Sequence, residues 1–137
     1  MPHTWMIVVI ALMFVSCSSS RTTLLITMVR HECGGAMGQA LATEVTPRKG
    51  EVFYISRNNS KLKQVAADKT GSITIKGSKG EVKLFISEKV KTDIQLSGEA
   101  CDRWRITPDA SFTLQKGEHT LPVYFEVICN PCLLPRP

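Results

Sequence analysis

Five cysteines are the most reactive side chains in this 137-residue chain. Four of them, Cys33, Cys101, Cys129 and Cys132, lie in its body. Four thiols can close two disulfides in three connectivities, the expected use in an exported chain. The favoured pattern joins Cys33 and Cys101 each to one member of the terminal pair, tying the ends of the domain to its middle. Closing long loops in this way stabilises by roughly 3–5 kcal/mol in the chain-entropy account. Two other chemistries use the same atoms. Cys129-Asn130-Pro131-Cys132 has the spacing of thiol oxidoreductases, whose first thiol sits at a helix N-terminus that lowers its pKa. Only Leu133-Leu134-Pro135-Arg136-Pro137 follows, so such a helix is not expected. Four thiolates with His31 beside Cys33 could instead hold zinc, which an oxidising compartment disfavours. The alternative to a structural role is thus a thiol-redox or metal-binding accessory protein acting through Cys129 and Cys132.

The other chemistry-bearing residues point to no catalytic site. His31-Glu32-Cys33 puts a base beside a thiol, but neighbours on a strand face opposite ways. Gly34-Gly35-Ala36-Met37-Gly38 lacks the Lys-Ser/Thr of a phosphate loop. Asp68, Asp93, Asp102 and Asp109 are scattered singly, unlike the dense acidic loop of a calcium site. Trp104, between Arg103 and Arg105, could offer an aromatic platform to a sugar or partner, or be a half-buried core residue. No cofactor is expected.

Strands must position these residues. Beyond residue 20 the apolar pattern has period two, and no long stretch has the period of a helix. Leu24, Ile26 and Met28 alternate; so do Ile73 and Ile75, and Val82, Leu84 and Ile86. Ile94 and Leu96 suggest a further strand, and Trp104-Arg105-Ile106 and Ser111–Gln115 shorter ones. Leu121, Val123, Phe125, Val127 and Cys129 would line one face of the last strand, with Tyr124 and Ile128 opposite. Turn signals such as Arg57-Asn58-Asn59-Ser60, Gly77-Ser78-Lys79-Gly80 and Lys116-Gly117 separate these runs. Seven or eight short strands at this spacing predict an all-β sandwich or small barrel. The stretch 33–50 reads as a loop holding at most a brief strand.

Composition agrees with one globular domain: 43% hydrophobic, 21% charged and 7% aromatic, so Val, Ile and Leu must make the core. The formal charge of +5 is modest. Lysines from Lys61 to Lys91 are interspersed with Asp68, Glu81 and Glu88 rather than gathered on one element. They read as a solvated sheet face with edges blunted by lysine, not as a nucleic-acid surface.

Residues 5–16 form an uncharged apolar run, too short to span a bilayer and suited to the core of a signal peptide. It ends in Phe14-Val15-Ser16-Cys17, then Ser18-Ser19-Ser20. This resembles the bacterial lipobox, with Phe14 where Leu is usual and no Lys or Arg in residues 1–4. The resemblance implies cleavage before Cys17, acylation of Cys17, and a cell-envelope protein anchored by several chains, in the outer membrane. The expected division is 1–16 signal peptide, 17–22 tether, 23–130 sandwich and 131–137 extended Pro-rich tail.

Residues 62–86 resemble the carboxypeptidase regulatory-like or Cna-B-like modules, whose recurring line is a strand, Asp-x-x-Gly, a strand, a turn and Gly-x-Tyr. Asp68 and Gly71 fall on the Asp-x-x-Gly, and Gly80 and Val82 on the Gly-x-Tyr. Ala67 and Val82 depart from the usual Thr and Tyr. Asp at the first position and Gly at the fourth suit a tight turn, here expected within a hairpin. Cys33-Gly34-Gly35, Cys101 and the terminal Cys129 and Cys132 also resemble small exported proteins of the Bacteroidetes type that carry this core. The resemblances imply a prealbumin-like sandwich of seven or eight strands and no known activity. The partners implied are the membrane, through the lipid, and an envelope protein or glycan.

Overall fold

A computed structural model describes residues 19–31 and 42–134. Among the described residues, eight strands form two four-stranded sheets that face each other across one core. The first strand, β1 (Arg21–His31), is the spine of one sheet. The last, β8 (Glu118–Val127), lies parallel along one edge of it, from Arg21 beside Glu118 to Arg30 beside Val127. Two short antiparallel strands share its other edge. β5 (Ser72–Lys76) pairs with Arg21–Leu25, and β2 (Ala42–Val45) with Met28–His31. The second sheet is antiparallel, in the order β4 (Lys63–Ala66), β3 (Val52–Arg57), β6 (Glu81–Ile86), β7 (Ala110–Thr113).

The alternation in the sequence is the cause of this arrangement. Successive strand residues face opposite ways, so Leu24, Ile26 and Met28 of β1 enter the core together. Val123, Phe125 and Val127 of β8 and Ile73 and Ile75 of β5 join them. Phe53 from β3 and Val82, Leu84 and Ile86 from β6 close the core from the other sheet. Tyr124 is exposed on the far side of β8, as its period predicts, but β8 stops at Val127: Ile128 and Cys129, expected to continue it, lie beyond its end, and Cys129 is exposed rather than on the core face.

Four further features differ from the sequence expectation. First, the connection from β6 to β7 holds two helices, α1 (Ser87–Lys91) and α2 (Glu99–Ile106), and α2 takes in Trp104–Ile106, where a short strand was expected. In α2, Cys101 and Trp104 are three residues apart and both buried, the spacing of one helix face. Eight residues are too few for that period to stand out. Ile94 and Leu96 lie in irregular chain and are exposed.

Second, the turn at Asp68–Gly71 does not close a hairpin. It carries the chain from β4 in one sheet to β5 in the other. Third, strand β1 begins at Arg21, inside the expected tether, and Ser20 and Thr22 are already buried. Fourth, residues 131–134 of the expected tail fold back: Cys132 is buried, and both Gln95 and Leu96 donate backbone hydrogen bonds to its carbonyl at 2.8 Å.

Candidate functional site

The sulfur chemistry resolves around this folded-back segment. Cys101 and Cys132 form a disulfide that closes a 31-residue separation and pins α2 to the segment after β8. Both residues are almost wholly buried. Cys129 is also disulfide-bonded. Cys129 and Cys132 therefore do not bond to each other, and neither offers a thiolate. The expected tie between Cys101 and the terminal pair is present. Cys33 and Cys17 lie outside the described residues. Among the described residues, no group of His, Cys, Asp and Glu could hold a metal ion.

Trp104 does not present a platform. It is 8% exposed and packs in the core cluster with Cys101 and Cys132. Arg103 pairs with Glu99 one turn earlier, and the Arg105 Nε donates to the Lys89 carbonyl at 3.2 Å. The side chain that does meet the Trp104 ring is Lys89, whose ammonium lies 5.3 Å from the ring centroid. Lys89 is not the solvated lysine its sequence context suggested. Its Nζ lies 2.9 Å from the Asp109 carboxylate, with both side chains 5% exposed. It also donates to the Thr107 carbonyl at 2.7 Å, while Asp109 accepts from the Ile86 amide at 2.8 Å. This pair fastens the start and end of the helical excursion to the sandwich. Its donors and acceptors are mutually satisfied, so it reads as structure.

The turn-motif residues are also structural. Asp68 Oδ1 accepts from the Thr70 amide at 2.7 Å, the Thr70 hydroxyl at 2.6 Å and the Ser72 amide at 3.0 Å. These bonds, the Thr70 hydroxyl's first, hold the carboxyl below its ordinary value of 3.8. Gly71 has φ +78°, and a Cβ there would stand 2.6 Å from the Pro47 carbonyl oxygen. Gly80 has φ +111° and lies against the Asn58 side chain, whose Oδ1 accepts from the Glu81 amide at 3.0 Å.

What the strands do gather is charge. One end of the sandwich is made by the first residues of β1, the β3–β4 and β5–β6 turns, and the β7–β8 turn. Backbone hydrogen bonds from Gly77 to Ser20 and from Arg21 to Gly117 knit these together. Arg21 stands beside Lys76 in the register, and the Arg57 Nη2 donates to the Lys76 carbonyl at 2.5 Å. Lys61, in the β3–β4 connection, and Lys63, the first residue of β4, flank the exposed Leu62. Lys79 and Lys116 occupy the other two turns, and the Lys83 Nζ donates to Asn59 Oδ1 at 2.8 Å. Eight cations thus share this end with two carboxylates, Glu81 and Glu118. The rest of the described chain holds eight Lys and Arg and nine Asp and Glu.

A cleft of about 540 Å³ opens here between the sheets, with Ile55 and Ile75 in its lining and Arg57, Lys63 and Lys76 around them. A second cleft of about 530 Å³ lies away from this end, near Arg48 and Gly50. There Arg30 is already paired with Glu51 at 2.8 Å and Glu88 at 3.4 Å. The basic end was not legible as a cluster, because its members come from five strands and their connections.

No protein-family model matches the chain. No curated protein matches it either. Among solved structures it is similar to GBS52, the minor pilin of the gram-positive pathogen Streptococcus agalactiae, with a TM-score of 0.44 and 18% identity over 87% of this chain and 49% of that one. It is also similar to a DUF3823 family protein from Parabacteroides merdae, with a TM-score of 0.38 and 15% identity over 79% and 45% of the two chains. The chain spans about half the length of each of these structures.

Proposed function

We propose that this chain is a non-catalytic module of the bacterial cell envelope, a disulfide-stabilised β-sandwich held to a membrane through acylated Cys17. The observation that carries the reading is the state of the sulfurs. Cys101, Cys129 and Cys132 are all consumed in disulfides, the condition of a chain that matures in an oxidising compartment. The apolar run at residues 5–16, ending at Cys17, supplies the export and anchoring signal. The thiol-redox and zinc alternatives at Cys129 and Cys132 both need thiolates, and the disulfides leave none there. The sandwich would then serve a binding or structural role toward an envelope protein or glycan. Cys17→Ala tests the anchor. The substituted chain should leave the membrane fraction or accumulate unprocessed, and a variant processed and retained like the wild type would overturn the reading.

A further inference from the structure

We propose that the basic end of the sandwich rests on an anionic phospholipid surface and so holds the domain end-on to the membrane. This rests on the anchoring reading for the presence of a membrane and adds a second, electrostatic contact to it.

Three observations converge on this end. The first is polarity. Eight of the described Lys and Arg face two carboxylates here, whereas elsewhere the signs nearly balance. A charge of one sign gathered at one pole gives a net field outside the molecule, which evenly mixed charges do not. The second is position. Ser20 and Arg21 are woven into the basic end by bonds to Gly77 and Gly117. Cys17 precedes Arg21 by four residues, a span of at most about 14 Å even when fully extended. An acylated Cys17 therefore keeps this end, and not the opposite one, within about 14 Å of the headgroups, so its cations can come inside one Debye length, where attraction is not screened away. The third is the mixture of side chains. Leu62 is 43% exposed between Lys61 and Lys63, and the half-buried Ile55 lines the cleft beside them. Apolar side chains among lysine stems suit a headgroup boundary, where ammonium groups meet phosphate and carbon stems meet the acyl edge.

Each cation near an anionic surface contributes roughly fivefold to the partition of the end it sits on. Several acyl chains already hold a lipoprotein in place. The basic end therefore decides orientation, not retention, and the experiment must read orientation. The lipidated full chain is placed in vesicles of phosphatidylcholine and in vesicles holding about 30% phosphatidylglycerol, a strongly negative surface. Each lysine is then acetylated for a short time and its labelling measured by mass spectrometry.

On the anionic vesicles Lys61, Lys63, Lys76 and Lys79 should label about fivefold or more slowly than on phosphatidylcholine, while Lys49, Lys69 and Lys91 keep their rates. Salt at about 0.5 M should remove the difference. The triple variant Lys61→Gln, Lys63→Gln, Lys76→Gln changes exposed residues only and should abolish protection at Lys79 while the protein stays on the vesicles. Equal labelling at both ends on anionic vesicles overturns the proposal. Protection by a soluble sulfated polymer with none on the vesicles overturns it in favour of a polyanionic chain. Failure of the anchoring reading looks different: the wild-type protein would not stay with phosphatidylcholine vesicles at all.

Discussion

Replacing Lys89 with Met should be among the most damaging single changes outside the hydrophobic core. The ammonium it removes touches the Asp109 carboxylate at 2.9 Å, the Thr107 carbonyl at 2.7 Å and the face of Trp104 at 5.3 Å. Met keeps most of the stem's volume, so the loss is electrostatic rather than a cavity. A carboxylate whose side chain is 5% exposed is left with the Ile86 amide and no counter-charge. Breaking one side of a buried pair in this way costs about 3–5 kcal/mol. For a domain of this size that lowers the melting temperature by about 12–20 °C, at roughly 4 °C per kcal/mol. The double variant Lys89→Met with Asp109→Asn removes the stranded charge and keeps an acceptor for Ile86. It should recover at least about 1 kcal/mol over Lys89→Met alone, a coupling that only direct neighbours show. Urea and thermal unfolding followed by circular dichroism measure both. A loss below about 1 kcal/mol for Lys89→Met, or a double variant no better than the single, would refute the account of the excursion as fastened by this pair.

Gly71→Val should destabilise by about 2 kcal/mol or more, because its φ of +78° disfavours a side chain and a Cβ would press on the Pro47 carbonyl; an unchanged urea midpoint would contradict this. Asp68 has a lowered folded pKa, so its contribution is present above the ordinary value of 3.8 and is lost as pH falls through the folded value. The stability gap between wild type and Asp68→Asn should therefore narrow below pH 3.8, and a gap independent of pH from 5 to 2 would count against the hydrogen-bonded carboxylate. Cys101→Ser with Cys132→Ser opens a 31-residue loop and should cost about 3.5–4 kcal/mol on the entropy account. Intact-mass measurement of the denatured, unreduced wild type after alkylation should show no label on Cys101, Cys129 or Cys132.

Strand interiors were legible because each alternates over enough residues to declare a face, as Leu24, Ile26 and Met28 do. The helical excursion was not. Its apolar residues, Cys101 and Trp104, are a single helical pair, and Ile94 and Leu96 alternate as a strand would while standing in solvent. Asp68 and Gly71 announced their turn through local chemistry, but local chemistry cannot say which sheet the next strand joins. Lys89 and Asp109 illustrate a second limit. Each looks like an ordinary surface charge until the fold brings them 2.9 Å apart and buries both. The basic end illustrates a third. Its charges come from distant turns, and only the register of β1 with β5 and β8 makes them neighbours.

That pairing of the first strand with the last sets the order in which the molecule can assemble. Ser20 and Gly117, joined by a hydrogen bond at the start of the β1–β8 ladder, are 97 residues apart in sequence. Closing a flexible loop of that length costs about 4 kcal/mol before any contact rewards it. The hairpin β3–β4 closes over a few residues at the turn Asn58-Asn59, both with positive φ, and can form early. β1 has a near partner for its last four residues only: β2 follows ten residues later and pairs with Met28–His31, β5 takes the other half of that edge, and the opposite edge waits for β8. A chain emerging N-terminus first must therefore carry β1 open-edged until Val127 is free, so folding is late and slow relative to a sandwich of local hairpins. Until then the Arg21–Arg30 backbone edge stays unpaired, and any factor that shields this sheet edge would raise the yield of native protein without touching its final stability.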